Sequence, residues 1–526
     1  MNAFCQDSLA HAPKYHKQHL FRPPCYRSAD GQWHTSFESA LAHSGDRLTW
    51  DTAAILSMLS FGYFSGDRTL FREITRQPWI SAIQPDHTVR LEAIPPHGYF
   101  RAPFREMAGQ FLRLLEREVE NVCKGRKHIF LLLSGGLDSR MIAGVLAKLR
   151  KEGRLAVAPV AVSWGLPDSR DVVYGRMVAE LLGFEWVHVD FGPEDLAHNI
   201  DVAAGAMNAS VSPRDLHRLT WFKNVPREAL ALSGSYGDSV GRAEFSGSHL
   251  LELRGLQPMN TFGLLAPAVW SQAAQGIQDD LDRLHRRAGA APRFVQMEYE
   301  MQGCYTRGLL GHAMSLVNQY CSLYPVFTHP AVYSYMWSIH PAFRFNRIYA
   351  ESFQLLHPDL LPIPWRRTNR SLAGRTRGAQ KELHPSFHDY PHWVRGELYE
   401  RLRDTIDPDW YEFTGLFSGK QIRALLLDVC KPYRDSRFFS RLLWLAALRR
   451  FAEQVGSLGK KVEIDPADIS DPQKTIARPR ERTASKFWRA GIHRRTQGVR
   501  QAFLRLKTRG QYPVRAGCPA PIHEDF

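Results

Sequence analysis

Nothing in this chain is spaced to staple a small fold or to span a bilayer. Its seven cysteines are scattered (5, 25, 123, 304, 321, 430 and 518), odd in number and without a CxxC pair. That pattern argues against structural zinc and against a disulfide framework, so a reducing compartment, the cytoplasm, is the expectation. The longest apolar runs, such as Ile129 to Leu133 and Ala156 to Trp164, fall far short of the ~18 residues needed to cross a membrane, so no transmembrane segment is expected. The opening MNAFCQDSLAHAPKYHKQHL has no apolar core behind basic residues, and no secretory signal is read there. No repeat recurs at solenoid periods. No His or Cys spacing suggests a metal cage.

What is present is ordinary in amount and uneven in distribution. The 526 residues are 44% apolar and 23% charged, a balance for a globular protein of several domains. The formal charge of +15 is concentrated near one end. From Lys474 to Arg509 twelve Lys and Arg face one acid, Glu481. Such a tail (474–510) suits an acidic partner or an acidic membrane surface, with nucleic acid as a less favoured partner. Val499, Phe503 and Leu506 have helical spacing within it.

Periodicity divides the rest. Residues 1 to about 48 are polar and irregular, and Thr52 to Tyr63 reads as an apolar helix. Phe104, Met107, Phe111, Leu114, Leu115 and Val122 recur at three- and four-residue steps, predicting an amphipathic helix. Strands are then expected at Ile129 to Leu133, Ala156 to Trp164, Trp186 to Asp190 and Ala229 to Leu232. Helices fall between them, about Ser139 to Lys151 and Asp171 to Leu182, the second closed by Gly183 as C-cap. Apolar strands alternating with helices predict an α/β fold, a parallel sheet flanked by helices. Beyond about residue 255 the pattern is mostly helical.

The chemistry is concentrated in HIFLLLSGGLDSRMIAG, His128 to Gly144. A buried strand stops at Ser134, and Gly135 and Gly136 leave room for a ligand to approach the backbone. The start of the next helix offers free N–H groups and a positive dipole end, with the hydroxyls of Ser134 and Ser139 beside them. Asp138 would repel a bare phosphate and makes sense if Mg2+ bridges it to one. No lysine stands where the GxxxxGK[ST] loop needs one, so this is a different polyphosphate notch.

SGGLDSR in this setting resembles the pyrophosphate loop of the N-type ATP pyrophosphatases, and more narrowly the asparagine synthetase family. The resemblance covers roughly residues 50 to 370. FGYFSGDRTLFREI (Phe61 to Ile74) is similar to the end of that family's glutaminase domain, and ALALSGSYGDSVG (Ala229 to Gly241) to its second ATP-site loop. The resemblance implies an adenine nucleotide alpha hydrolase-like sheet and four regions. These are a degenerate mixed α/β glutaminase-like region (1–103), an ATP pyrophosphatase domain (104–380), a helical C-terminal region (381–473) and the basic tail (474–526). It implies ATP and Mg2+ as cofactors, and a carboxylate activated as an acyl-adenylate before an amine attacks. Asp138 and Asp238 would hold the metal. Ser134, Gly135, Gly136, Ser139, Ser233 and Gly234 would hold the nucleotide, with Leu132, Val162 and Ser163 at strand ends near the adenosine. Arg347, with Arg344 as the other candidate, would stand in for the family's pyrophosphate lysine. Asp171, heading its helix, is either an N-cap or an ATP contact.

Four departures from that family shape the expectation. Asn2 stands where the glutaminase nucleophile, a cysteine, follows the initiator methionine, and Cys5 is not adjacent. Ser235 and Ser239 replace acidic residues of the second loop, and LYPVFT (Leu323 to Thr328) replaces an RxPFLD-like stretch. No clear lysine meets the pyrophosphate. The implied activity is an AMP-forming carboxylate–amine ligase that does not hydrolyse glutamine, acting on small-molecule, peptide or glycan substrates. Two other readings compete: a tRNA-modifying enzyme with the same loop, and a non-catalytic ATP-binding scaffold.

Overall fold

Five short apolar stretches pair side by side into one sheet in which every neighbour is parallel: β1 (Ile129–Leu132), β2 (Val160–Trp164), β3 (Glu185–Val189), β4 (Leu230–Ser233) and β5 (Ser322–Pro325). Their order across the sheet is β3-β2-β1-β4-β5. This computed structural model describes residues 25–242, 256–341, 343–373, 382–431 and 436–469, with the backbone of 515–516. The basic stretch Lys474 to Arg509, Asn2 and Cys5 lie outside the described residues. Among the described residues no helix is long and apolar enough to cross a membrane.

Helices flank the sheet as the alternation requires. In α2 (Phe104–Cys123), Met107, Phe111, Leu115, Val119 and Val122 are buried at helical steps, along the face that packs on α3 (Leu137–Lys151) and α9 (Asn346–Leu356). The last turn of α3 carries Lys148, Arg150 and Lys151, cations the helix dipole favours there. Next comes α4 (Arg170–Leu182), capped at its start by the Ser169 hydroxyl on the Val172 amide, 3.4 Å. Gly183 ends it at φ 66, the left-handed conformation that a C-cap glycine adopts most cheaply. Ser169, not Asp171, is therefore the N-cap.

Several boundaries moved for identifiable reasons. Ala156 to Pro159 is not strand; Pro159 has no N–H to give a ladder, and β2 starts just after it. The edge strand β5 was hidden in sequence because it is four residues long and ends on Pro325. Its neighbourhood, Leu323 to Thr328, is buried throughout. Residues 25–48 are not wholly irregular: Tyr26–Arg27 pairs antiparallel with Trp33–His34, and Phe37–Ala42 is helical.

Residues 25–100 share their core with later helices. Every residue of α1 (Thr52–Ser60) is buried, and α1 lies along α6 (Trp270–Ala288). Arg68 joins the two by hydrogen bonds to Asp51 at 2.8 Å and Asp280 at 2.6 Å. His97 reaches Glu298 on α7 (Arg293–Glu300), which also accepts from the Trp337 indole of α8 (Pro330–Ser338) at 2.8 Å. The helix α5 (Pro193–Ala204), opened by Pro193, rests on α10 (Ser436–Ser457).

Candidate functional site

Strand order reverses between β1 and β4, and in open parallel sheets the crevice beyond the carboxyl ends at such a reversal is where ligands bind. Leu132 and Ser233 are register partners, so two loops leave these strands at the same level: Leu133 to Gly136 and Gly234 to Tyr236. Both run straight into helical turns, α3 and the wide π-type turn Gly237–Gly241.

The first loop is a hydrogen-bonded nest. The Ser134 amide donates to the Ser139 hydroxyl at 3.2 Å, and the Gly136 amide donates to the Ser134 hydroxyl at 3.2 Å. Gly136 is the N-cap of α3 and has no side chain to close the helix start. Gly135 cannot carry one: a Cβ there would lie 2.6 Å from the Arg170 carbonyl oxygen.

The second loop is folded directly onto the first. A Cβ on Gly237 would lie 2.6 Å from Asp138 Oδ1, and one on Gly234 would strike the backbone of the α3 start. Tyr236, buried, takes φ 75, a conformation that costs a bulky residue about 1 kcal/mol or more and that clusters at functional sites. The Ser235 amide donates to Ser233 Oγ at 3.1 Å, and the buried Ser239 hydroxyl donates to the Tyr236 carbonyl at 3.3 Å.

Asp138 lies against the second loop beside Gly237, and the Tyr349 hydroxyl, which donates to the Gly237 carbonyl at 3.2 Å, is held well above its ordinary range by burial first, then by Asp138 and, more weakly, by Asp238. Asp238 Oδ1 accepts from the Ser239 amide at 2.8 Å. Asp138 is gripped by Arg242, whose Nε and Nη2 donate to Oδ1 and Oδ2 at 3.2 and 3.0 Å. Two partly buried carboxylates are donors of the kind that suits Mg2+, which takes one or two carboxylates and leaves its other positions to phosphate and water. Among the described residues no cluster of three or more His, Cys, Asp or Glu side chains is placed to hold a metal.

The remaining residues picked out in sequence are placed less openly. Leu132 and Val162 are in the core, and the Val162 carbonyl accepts from the Leu133 amide at 2.9 Å. The Ser163 hydroxyl donates to the Leu133 carbonyl at 2.8 Å and accepts from the Trp186 indole at 3.1 Å, making it a strut between strands. Arg347 is turned outward: its guanidinium lies over Phe104, 4.4 Å from the ring centroid, and 3.7 Å from Glu351. Arg344 is wholly buried against Glu298 at 3.0 Å, out of reach of a phosphate. Asp171 pairs with Arg366 at 3.0 Å.

Three groups had no sequence signal strong enough to single them out. Arg242 follows directly on the second-loop motif. Arg366 donates its amide to the Gly135 carbonyl at 3.0 Å, so the stretch Trp365 to Asn369 lies over the notch. Arg140, inside SGGLDSR, sets that cover in place: its buried fork donates to the carbonyls of Leu360, Ile363 and Pro364 at 3.2, 2.7 and 2.8 Å. Burial lowers its guanidinium to about 9. The run of arginines in WRRTNR was the available hint.

Residues 110–317 match the family model described as asparagine synthase. A glutamine-hydrolyzing asparagine synthetase of Gallus gallus is 37% identical over 82 residues, 16% of this chain and 15% of that protein. Those of Rattus norvegicus and Homo sapiens are 37% and 36% identical over 75 residues, 14% of this chain and 13% of each relative. The chain thus matches well under a fifth of the length of these curated relatives.

Proposed function

We propose that this chain, whose residues 110–317 match the asparagine synthase family model, is an ATP-dependent carbon–nitrogen ligase that joins a carboxylate to an amine with release of AMP and pyrophosphate. The observation that carries the reading is the interlock at the sheet's reversal point, with the second loop folded onto the first at Asp138 and Ser139.

In this reading the polyphosphate lies at the open start of α3, where main-chain N–H groups and the Ser134 and Ser139 hydroxyls meet it. Asp138 and Asp238 would hold Mg2+, which would supply charge stabilisation for the departing pyrophosphate. A substrate carboxylate oxygen attacks the α-phosphorus, the bond from that phosphorus to the α,β-bridging oxygen breaks, and pyrophosphate leaves. An amine nitrogen then attacks the acyl carbon of the adenylate, AMP leaves with the C–O bond electrons, and the nitrogen loses a proton. Fixed donors aimed at the charge developing on the leaving group are the largest contribution the chain's own residues make.

The acid is not aspartate-like in this reading, because Leu323 to Thr328 are buried and offer no charged side chain. Ser235 brings no carboxylate to take the amine's proton, so a general base at that position is not part of the mechanism. Incubating the protein with Mg-ATP, a panel of acids and a panel of amines, and separating the products by mass, tests the proposal. Equal amounts of AMP, pyrophosphate and an amide support it; ADP and phosphate would sink it.

A further inference from the structure

Arg140 stands near the start of α3, yet its side chain is fully buried and its fork donates to main-chain carbonyls, those of Leu360, Ile363 and Pro364. Taking a guanidinium out of water on neutral partners is costly, and the compensation here is geometric. A planar fork gathers three carbonyls of one short stretch, which no apolar side chain could do. That stretch runs directly into the cover. Trp365 and Arg370 pair as an antiparallel bridge, and the Thr368 amide donates to the Trp365 carbonyl at 3.1 Å, closing a turn with Arg366 at its second position. From there the Arg366 amide donates to the Gly135 carbonyl at 3.0 Å. The same Gly135–Gly136 peptide gives its N–H to the Ser134 hydroxyl at 3.2 Å. A ring is thereby closed, from Arg140 on α3, through Pro364 and Arg366, to the peptide immediately before α3.

We propose that Arg140 is a positioning residue. By fixing the Trp365–Thr368 turn it sets the plane of the Gly135–Gly136 peptide, and with it the main-chain donors at the start of α3 that receive a polyphosphate. The role rests on the reading that the notch takes a magnesium polyphosphate, and Arg140 itself touches no ligand. Two glycines in succession have no Cβ to restrict them, so the peptide between them turns freely unless bonds at both its ends hold it. Arg366 holds its oxygen and Ser134 its nitrogen. A lysine in place of Arg140 keeps the charge but cannot reproduce the planar fork, so the stretch from Leu360 to Pro364 would lose its common anchor.

A double-mutant cycle on the full chain, read as Mg-pyrophosphate affinity by calorimetry, separates this role from a contribution to stability alone. Arg366→Pro removes the amide that meets Gly135. Proline suits the second position of such a turn, and Trp365 before it is extended, as a residue preceding proline should be. Arg366→Ala, which loses the same side chain and keeps the amide, is the reference. Against that reference Arg366→Pro is expected to weaken Mg-pyrophosphate about tenfold, the size of one hydrogen bond. Arg140→Lys should weaken it by a similar factor in the Arg366→Ala background. Added to Arg366→Pro it should cost less than about twofold, because the link it acts through is already gone. Arg140→Gln, which retains a donor for the carbonyls without a buried charge, serves if the lysine variant does not fold. Equal factors in the two backgrounds, or no loss from either substitution, overturn the positioning role and leave the polyphosphate reading intact. If the wild-type chain binds neither Mg-pyrophosphate nor Mg-ATP, that reading falls and the positioning role falls with it.

Discussion

Gly234 stands against the backbone amide of Ser139, so close that a Cβ added to the glycine would lie 2.5 Å from that nitrogen. Two loops 100 residues apart in sequence are thereby locked into one surface, and the lock depends on a missing side chain. Gly234→Ala must push the loops apart. It is expected to cost about 1–3 kcal/mol in a urea melt, the range for overpacking, and to weaken Mg-ATP binding. A melt unchanged within about 0.5 kcal/mol would mean the loops are not in contact in solution.

Beneath the sheet's β5 edge, Glu118 accepts from the Tyr324 hydroxyl and lies 3.0 Å from His329 Nε2. Burial raises the Glu118 carboxyl to about 8 and lowers the His329 imidazole to about 4. At neutral pH the contact is therefore a hydrogen bond between a neutral acid and a neutral imidazole, not an ion pair. A carboxyl raised from its ordinary 4.5 stabilises the fold fully below that pH and progressively less as pH climbs to about 8. Stability relative to Glu118→Gln should rise by more than about 1 kcal/mol as pH falls from 8 to 5. His329, depressed, acts in the opposite sense in both proteins, losing its contribution as pH falls from 6.5 towards 4, and cancels in the difference. A difference that is flat or falls over that window contradicts the assignment.

Arg344 connects the second-loop turn to α7, donating to the Val240 carbonyl at 2.8 Å and to both Glu298 oxygens at 3.0 Å. Burial alone would raise Glu298, but Arg344 and His97 outweigh it and hold the carboxyl far below its ordinary range. Arg344→Met strands that charge and should cost about 3–5 kcal/mol by chemical denaturation. Arg344→Met with Glu298→Met should recover a large part of the loss. If the double variant is no more stable than the single, the pair is not the unit that matters.

What could be read from the sequence was whatever is local. The α3 notch, the β1–β4 strands and the Gly183 cap each arise within a few residues, where apolar period and glycine position determine the outcome. The remainder depends on contacts across long separations. Arg242 with Asp138, Arg366 with Gly135 and Arg140 with Pro364 join residues 104 to 231 apart, and no single-sequence pattern encodes such partners. Arg347 misled for the same reason: its position in sequence was near the site, but its helix face points to Phe104. Ser163 carries a hydroxyl at a strand end, which reads as a ligand contact until Leu133 and Trp186 are seen to occupy it.

In the proposed reaction this notch grips a magnesium polyphosphate so that ATP is split between its α- and β-phosphates. ATP–pyrophosphate exchange, screened across carboxylic acids with Asp138→Asn beside the wild type, tests it most directly. Exchange is expected to require both Mg2+ and a particular acid, and to fall about 100-fold or more when Asp138 loses its charge. Exchange undiminished in Asp138→Asn, or turnover that yields ADP without exchange, would contradict it.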